Sequence, residues 1–262
     1  MGGERTRGDG SRGVSPVAAG GFAAAAPTYA RIRPTYARAA IGALKQRVPA
    51  GAVVLDIAAG TGILTGQLRR AGVAVLAIEP VPEMFGQLRL TLPDVPVVRA
   101  VAEALPIAAG SVDAVTVGEA LHWLDRAAVP EFRRVLRAGG VLAVARNRRD
   151  EDVDWMARYG EILRSGIDDD LPYVRLEPEL VVGSVGGFSE AEHVSISNPR
   201  PCSPGDLVRR AASTSFVAAA PAERRRSVLA QVGDLARTHP DLAGKESFEI
   251  PYVTEVWTWS AL

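Results

Sequence analysis

Three carboxylates, a glycine turn and a histidine beside a tryptophan are the groups in this chain of 262 residues whose spacing invites chemistry. Residues 53–66 read VVLDIAAGTGILTG: an apolar run into Asp56, two alanines, Gly60-Thr61-Gly62, then a helical pattern. That order describes a buried strand, a tight turn and the start of a helix. Gly60 and Gly62 place no Cβ before the turn, and the first N–H groups of the helix have no partner within it. An acceptor-rich ligand suits such a turn. Two details narrow its kind. A dinucleotide fingerprint wants a third glycine that here comes one residue late, at Gly66. Asp56 stands ahead of the glycines, where a pyrophosphate would meet a second anion but a cationic amino-acid end would be welcome. Glu79 closes the next apolar run, 73–79 (VAVLAIE), at a spacing that lets it accept hydrogen bonds from both ribose hydroxyls of either ligand class.

The elements that position these groups alternate in type. After Pro34, residues Tyr36, Ala40, Leu44 and Val48 fall on one stripe of a helix. Pro80 stops the second strand, and a helix over 82–90 follows with Glu83 in its first turn. A short strand is expected at 95–99 and a fourth at 112–117 (VDAVTV), which runs into 118–125 (GEALHWLD). Open α/β sheets bind ligands beyond the carboxyl ends of their strands, so Glu119, His122 and Trp123 lie where chemistry happens. Residues 129–136 form an amphipathic helix. Gly139 and Gly140 stop it and turn the chain into a fifth strand ending at Asn147. Further on, 155–163 reads as a helix, 171–187 as an irregular insertion, 191–197 as a strand, and 204–216 and 222–236 as helices. Residues 248–259 alternate as a last strand, which Pro251 marks as bulged or near an edge.

Length favours one large α/β domain over two. Formal charge is zero, with Lys+Arg 30 and Asp+Glu 30, so no nucleic-acid face is indicated. The single cysteine, Cys202, excludes an internal disulfide and fits a reducing, cytoplasmic setting. No stretch approaches the ~20 apolar residues of a membrane span. His122, His193 and His239 are not spaced as metal ligands, so no metal is expected. Lysine occurs only at Lys45 and Lys245 while arginine, alanine, glycine and proline abound, a usage associated with GC-rich bacterial genes. Residues 1–27 read as a disordered leader; their glycines and Pro16 dilute the apolar core a signal peptide would need.

L-D-I-A-A-G-T-G resembles the first motif of class I S-adenosylmethionine-dependent methyltransferases. The Y-x-x-x-R-P-x-Y start at Tyr29, the A-E-x-L-P stretch at Ala102-Glu103 and the A-x-H-W-x-D signature at 120–125 resemble the small-molecule, trans-aconitate methyltransferase-like (methyltransferase type 11) group. The departures are Ala58, where glycine is commoner, Val101, Leu124 and Ala138. The resemblance is close over about 29–147 and diffuse after 150.

It implies a Rossmann-like seven-stranded mixed sheet, five parallel strands and a final hairpin pair, with helices on both faces. Residues 28–147 would be the cofactor-binding core, 150–245 a helical substrate cap with the C-terminal helices, and 246–262 the final strand of a single domain. The cofactor would be S-adenosyl-L-methionine, contacted by Asp56, Ala58, Gly60, Thr61, Gly62, Glu79, Pro80, Glu119 and Ala120, with Met84, Ala102 and Glu103 by the adenine. Tyr29 and Arg33 would hold the methionine carboxylate. Tyr36, His122 and Trp123 would face the substrate, with His122 or Glu119 as base for an acceptor that must lose a proton. The expected partner is a small molecule, in keeping with bacterial secondary metabolism, for a monomer or homodimer. Two rivals stay open: a cofactor-binding protein that catalyses a cyclisation instead, and a nicotinamide-dependent oxidoreductase, which Asp56 and Gly66 disfavour.

Overall fold

A computed structural model describes residues 34–165 and 177–262. The leader expected over 1–27, Tyr29 and Arg33 lie outside these residues. In chain order the described elements are α1 Arg38–Arg47, β1 Val53–Ile57, α2 Ile63–Arg70, β2 Ala74–Ile78, α3 Pro82–Thr91, β3 Val97–Val98 and β4 Val112–Gly118. A single 3-10 turn, Leu121–Trp123, leads to α4 Ala128–Val135, β5 Leu136–Arg149, α5 Asp154–Arg164 and α6 Pro178–Gly183. Then come β6 Glu192–Ser197, β7 Arg200–Cys202, α7 Pro204–Ala212, α8 Ser215–Ala219, α9 Ala222–Thr238, β8 Phe248–Ile250 and β9 Tyr252–Ser260.

The apolar runs become the middle of one sheet, ordered β3-β2-β1-β4-β5-β9-β6. The first five pair in parallel, β9 runs antiparallel to β5, and β6 antiparallel to β9. Strand order reverses between β1 and β4. Their following loops depart to opposite sides, and a crevice opens there because neither crossover covers it. One face of the sheet packs Ile57, Val117, Phe132 and Trp257 among others, and the opposite face packs Ile41, Leu44, Leu64 and Val256. A third core belongs to the helices themselves: Trp155, Met156, Leu207, Val232 and Ile250 pack together between α5, α7, α9 and the small β7–β8 sheet. Among the described residues no helix is long and apolar enough to cross a membrane.

Several local expectations are corrected. The first helix begins at Arg38, not after Pro34: Ala37 has extended backbone at ψ 137°, and Ala37 N–H is held by the Thr254 hydroxyl and Tyr36 N–H by the Gln67 side chain, each at 2.9 Å. The glycines at 139 and 140 do not end a helix. α4 has already stopped at Val135, and 137–140 form a bulge, with register passing from Val112↔Leu136 to Ala114↔Val141. β5 then continues past Asn147 to Arg149, which pairs with Tyr252. Pro251 splits the last strand in two rather than placing it at an edge, and β9 lies inside the sheet between β5 and β6. β6 and β9 are antiparallel neighbours but no hairpin, since the helical lobe is inserted between them. The helix expected over 204–216 ends at Ala212, and a short helix forms within the 171–187 insertion.

Candidate functional site

β1 carries Asp56 to the crevice at 1% exposure. The hydroxyls of Thr65 and Thr116 donate to its two oxygens at 2.5 and 3.0 Å. Burial pushes this carboxyl from 3.8 up to about 6, and the hydroxyl bonds offset only part of the desolvation. Glu79, at the end of β2, accepts the N–H of Gly60 at 2.7 Å and that of Val81 at 2.9 Å, so its carboxylate staples the glycine turn to the neighbouring strand. It too is pushed above the usual carboxylate range, first by burial and further by the charge of Asp56. Two desolvated acids facing one crevice favour a ligand with positive charge.

The turn is strained where ligand would lie. Among the described residues the non-glycine positions with positive φ are Ala58, at +51°, and Glu119, at +55°. Both line the same cleft. An L-residue in this region costs about 1–2 kcal/mol, and such strain persists where surrounding structure holds it. Ala58 is held by the turn that follows β1, where Ala59 N–H bonds Ile78 O at 3.0 Å. Glu119 is held at both ends: its N–H bonds Ala145 O at 2.9 Å, and its carboxylate accepts Asn147 N–H at 2.5 Å.

The resulting cleft spans about 870 Å3, counting its mouth open to solvent. Asp56, Ala58, Gly60, Thr61, Glu79, Pro80, Met84, Glu119 and Ala120 line it, as expected of cofactor contacts. Tyr36 and Trp123, expected on the substrate side, line this same cleft. Tyr36 packs against Gly118, where a side chain would run into its Oη and into Leu64. Gly118 therefore belongs to the site; the sequence placed it at the head of the 118–125 segment but gave no sign that Tyr36 packs against it. Leu64, Val81 and Leu124 add apolar wall that sequence reasoning also left out.

Three residues expected to contact the cofactor do not line this cleft. Gly62, at φ +86°, is spent on packing, because a Cβ would lie 2.9 Å from Leu92 and 3.2 Å from Leu88. Ala102 is buried in the core, and Glu103 accepts a hydrogen bond from Asp125 N–H at 3.0 Å. Neither lines the cleft.

A second cleft of about 1740 Å3 adjoins the first, sharing Pro34, Glu119 and Ala120. His122 is exposed toward it, its ring centroid 4.6 Å from that of Trp123, which faces the first cleft. Asn147 lines the second cleft and is tied to Pro34, which borders both. Its side chain donates to Pro34 O at 3.2 Å and accepts from the Thr254 hydroxyl at 2.6 Å and Asn198 Nδ2 at 3.0 Å. Arg200 and Asn198 bind Thr35 O, each at 2.7 Å, and Gln67 Nε2 donates to Tyr36 O at 2.8 Å. Residues 34–37 are thus strapped across the crevice mouth by side chains from four separate parts of the chain.

The lining fits S-adenosylmethionine. The Thr61 hydroxyl is buried, borders the cleft and has no protein partner; the space before Gly60 is open to 4 Å; and the acids suit an ammonium and a sulfonium. A parallel sheet reversing between β1 and β4, completed by an antiparallel strand and with a carboxylate-led glycine turn at the reversal, defines a Rossmann-like methyltransferase fold.

Similarity to known proteins agrees. The profile of the family described as "Methyltransferase domain" matches residues 55–144. An uncharacterized methyltransferase of Mycobacterium tuberculosis is 39% identical over 203 residues, which are 77% of this chain and 80% of that protein. The solved structure of a candidate type II methyltransferase from Anaeromyxobacter dehalogenans is 26% identical at a TM-score of 0.67, over 87% of this chain and 97% of its own. The [4+2]-cyclase SpnF shares the fold at 17% identity and a TM-score of 0.51, over 86% of this chain and 80% of its own. The chain belongs to the class I S-adenosylmethionine-dependent methyltransferases.

Proposed function

We propose that this protein transfers a methyl group from S-adenosylmethionine to an O, N or C atom of a small-molecule acceptor held in the second cleft. The observation that carries this reading is the meeting of the two clefts at Glu119 and Ala120, one walled by the buried acids Asp56 and Glu79, the other lined by His122, Asn147 and several arginines. Bound in the first cleft, S-adenosylmethionine supplies a sulfonium-activated methyl group, which an acceptor lone pair takes while the C–S electron pair leaves with sulfur. The chain has to bind, orient and exclude water, because alignment of reactants supplies most of the catalysis such an activated donor needs.

In this reading Asp56 compensates the ammonium end, Glu79 accepts from the ribose hydroxyls, and the Thr61 hydroxyl finds its missing partner. Pro80 and Met84 flank the adenine; Ala58, Gly60 and Ala120 give close backbone approach; Tyr36 and Trp123 close the sides. Tyr29 and Arg33 are assigned to the methionine carboxylate from the sequence resemblance alone. Gly62, Ala102 and Glu103 act only through the packing and hydrogen bonds they make. His122 receives the acceptor's proton where the acceptor must lose one, and a carboxylate acceptor leaves it idle. Residues 34–165 and 177–262 work as one domain, with the α5–α9 lobe roofing the second cleft.

Because a cyclase shares the fold, fold alone does not select methyl transfer; the 39% identity to a protein named as a methyltransferase weighs toward it. Calorimetric titration with S-adenosylmethionine, S-adenosylhomocysteine and NAD in parallel tests the reading. Micromolar binding of the adenosyl ligands with NAD silent is expected. Silence from both adenosyl ligands overturns the assignment, and binding of S-adenosylmethionine that is neither consumed nor accompanied by any methylated product would favour the cyclase-like alternative.

A further inference from the structure

The polar side chains that line the second cleft are mostly engaged with one another. Arg149 Nε and Arg164 Nη1 hold the Glu151 carboxylate at 3.4 and 3.0 Å, and Glu151 lies so close to α5 at Gly160 that a Cβ there would collide with it. Arg146 and Arg148 pair with Glu255 at 2.7 and 3.4 Å. The hydroxyls of Ser213 and Thr214 donate to Arg210 O at 2.8 and 3.2 Å, and the Asn147 carboxamide is occupied at both ends. Tyr159 and Tyr252 stand apart: neither hydroxyl is hydrogen-bonded to any of the described residues, and both residues line the cleft.

Tyr252 is only partly buried, so water can serve its hydroxyl. Tyr159 is different. It belongs to α5, is 2% exposed, and shares the apolar core of the lobe with Met156, Leu163 and Leu207. What stays open of it faces the cleft. Burial holds the phenol well above its usual range, so the hydroxyl keeps its proton and is available as a donor. A donor left in apolar surroundings is matched by an acceptor atom on a ligand, and it discriminates against ligands that lack that atom. With Glu151 already held by Arg149 and Arg164 and the surroundings apolar, the group that fits is an uncharged oxygen rather than a second ion.

We propose that Tyr159 selects the acceptor: its hydroxyl donates to an uncharged oxygen, a carbonyl or a hydroxyl, carried on an otherwise apolar ring system at the α5 side of the second cleft and separate from the atom that is methylated. The role of that molecule as acceptor rests on the methyl-transfer reading; the oxygen site does not.

The test uses the full chain, with and without S-adenosylhomocysteine, against two matched sets of probes: indanone, indanol and indane, and tetralone, tetralol and tetralin. Affinities are read by ligand-observed NMR. The quantity compared is the ratio of oxygenated to hydrocarbon affinity in the wild type and in Tyr159→Phe, so that differences in probe hydrophobicity cancel. Removing the hydroxyl should lower that ratio about three- to tenfold and leave hydrocarbon binding equal or tighter. S-adenosylhomocysteine affinity should be unchanged, and the melting temperature should hold or rise, because the lost hydroxyl has no described partner. An unchanged ratio, no binding by any oxygenated probe, or displacement of the oxygenated probes by S-adenosylhomocysteine, which would put them in the first cleft, overturns the proposal. So does a clear fall in the melting temperature of Tyr159→Phe, which would show the hydroxyl serving the fold instead. The ketone and alcohol arms identify which oxygen the site takes. Failure of S-adenosylhomocysteine to bind, with the ratio falling as expected, sinks the methyl-transfer reading alone.

Discussion

Replacing Asp56 by asparagine removes a charge that the fold holds away from water. The carboxyl titrates at 3.8 when unperturbed and at about 6 in the native chain. The native state therefore keeps a proton that the unfolded state has already lost between those values. Stability is full below 3.8, falls as pH rises toward 6, and is flat above. The rise from 3.8 to about 6, at ~1.4 kcal/mol per pH unit, sets an upper bound of roughly 3 kcal/mol on the loss. Asparagine does not titrate, and the hydroxyls of Thr65 and Thr116 can turn to donate or accept, so the substitution loses at most about one hydrogen bond, ~1 kcal/mol. In urea unfolding of the ligand-free protein, the Asp56→Asn variant should gain on the wild type by about 2–3 kcal/mol between pH 4 and pH 7. A difference that stays constant across that range would refute the argument. The same charge predicts coupling to ligand. A cationic cofactor lowers the pKa of Asp56, so binding to the wild type near pH 6 should release up to about half a proton, and binding to the variant none from this group. Calorimetry in buffers of different ionisation enthalpy measures this directly, and equal release from the two proteins would place the cation elsewhere.

Three further outcomes follow from single contacts. Thr61→Val removes a buried hydroxyl without a protein partner, so stability in a thermal melt should hold or rise while S-adenosylmethionine affinity drops about 5- to 10-fold, or ~1–1.5 kcal/mol. Glu119→Ala should weaken the cofactor about tenfold or more, because it takes away both a cleft wall and the acceptor that fixes Asn147 N–H; unchanged calorimetric affinity would show that the end of β4 does not border the cofactor. Asn147→Ala leaves the Thr254 and Asn198 donors without their shared acceptor and unties Pro34, so urea unfolding should show a loss of about 1–3 kcal/mol, together with faster proteolysis near residue 34.

Local pattern is enough wherever one short stretch determines its own geometry. The apolar run ending in Asp56, the glycine turn and the helix after it follow from adjacent residues, and Glu79 follows from a fixed strand–helix–strand interval. That the fourth strand lies beside the first is implied by the fold that the resemblance brings, not by the alternation itself. Hence most of the first cleft is legible in the amino-acid sequence alone.

What the sequence leaves open is what distant neighbours decide. Gly62 reads as a residue kept small for a ligand, yet Leu88 and Leu92 on the next helix claim that space. Gly118 reads as the plain end of a strand, yet Tyr36 requires it to lack a side chain. The positive φ of Ala58 and Glu119 is set by hydrogen bonds from β2 and β5 and carries no compositional mark. Ala102 and Glu103 match a motif but turn toward the core and toward Asp125. The arginine-lined cleft joins β5 to α5 and α7, segments whose pairing no local period encodes. Turn chemistry and burial period act over a few residues and are written in order along the chain; which side chains meet across a cleft depends on packing between segments far apart in sequence, and only the folded molecule brings those together.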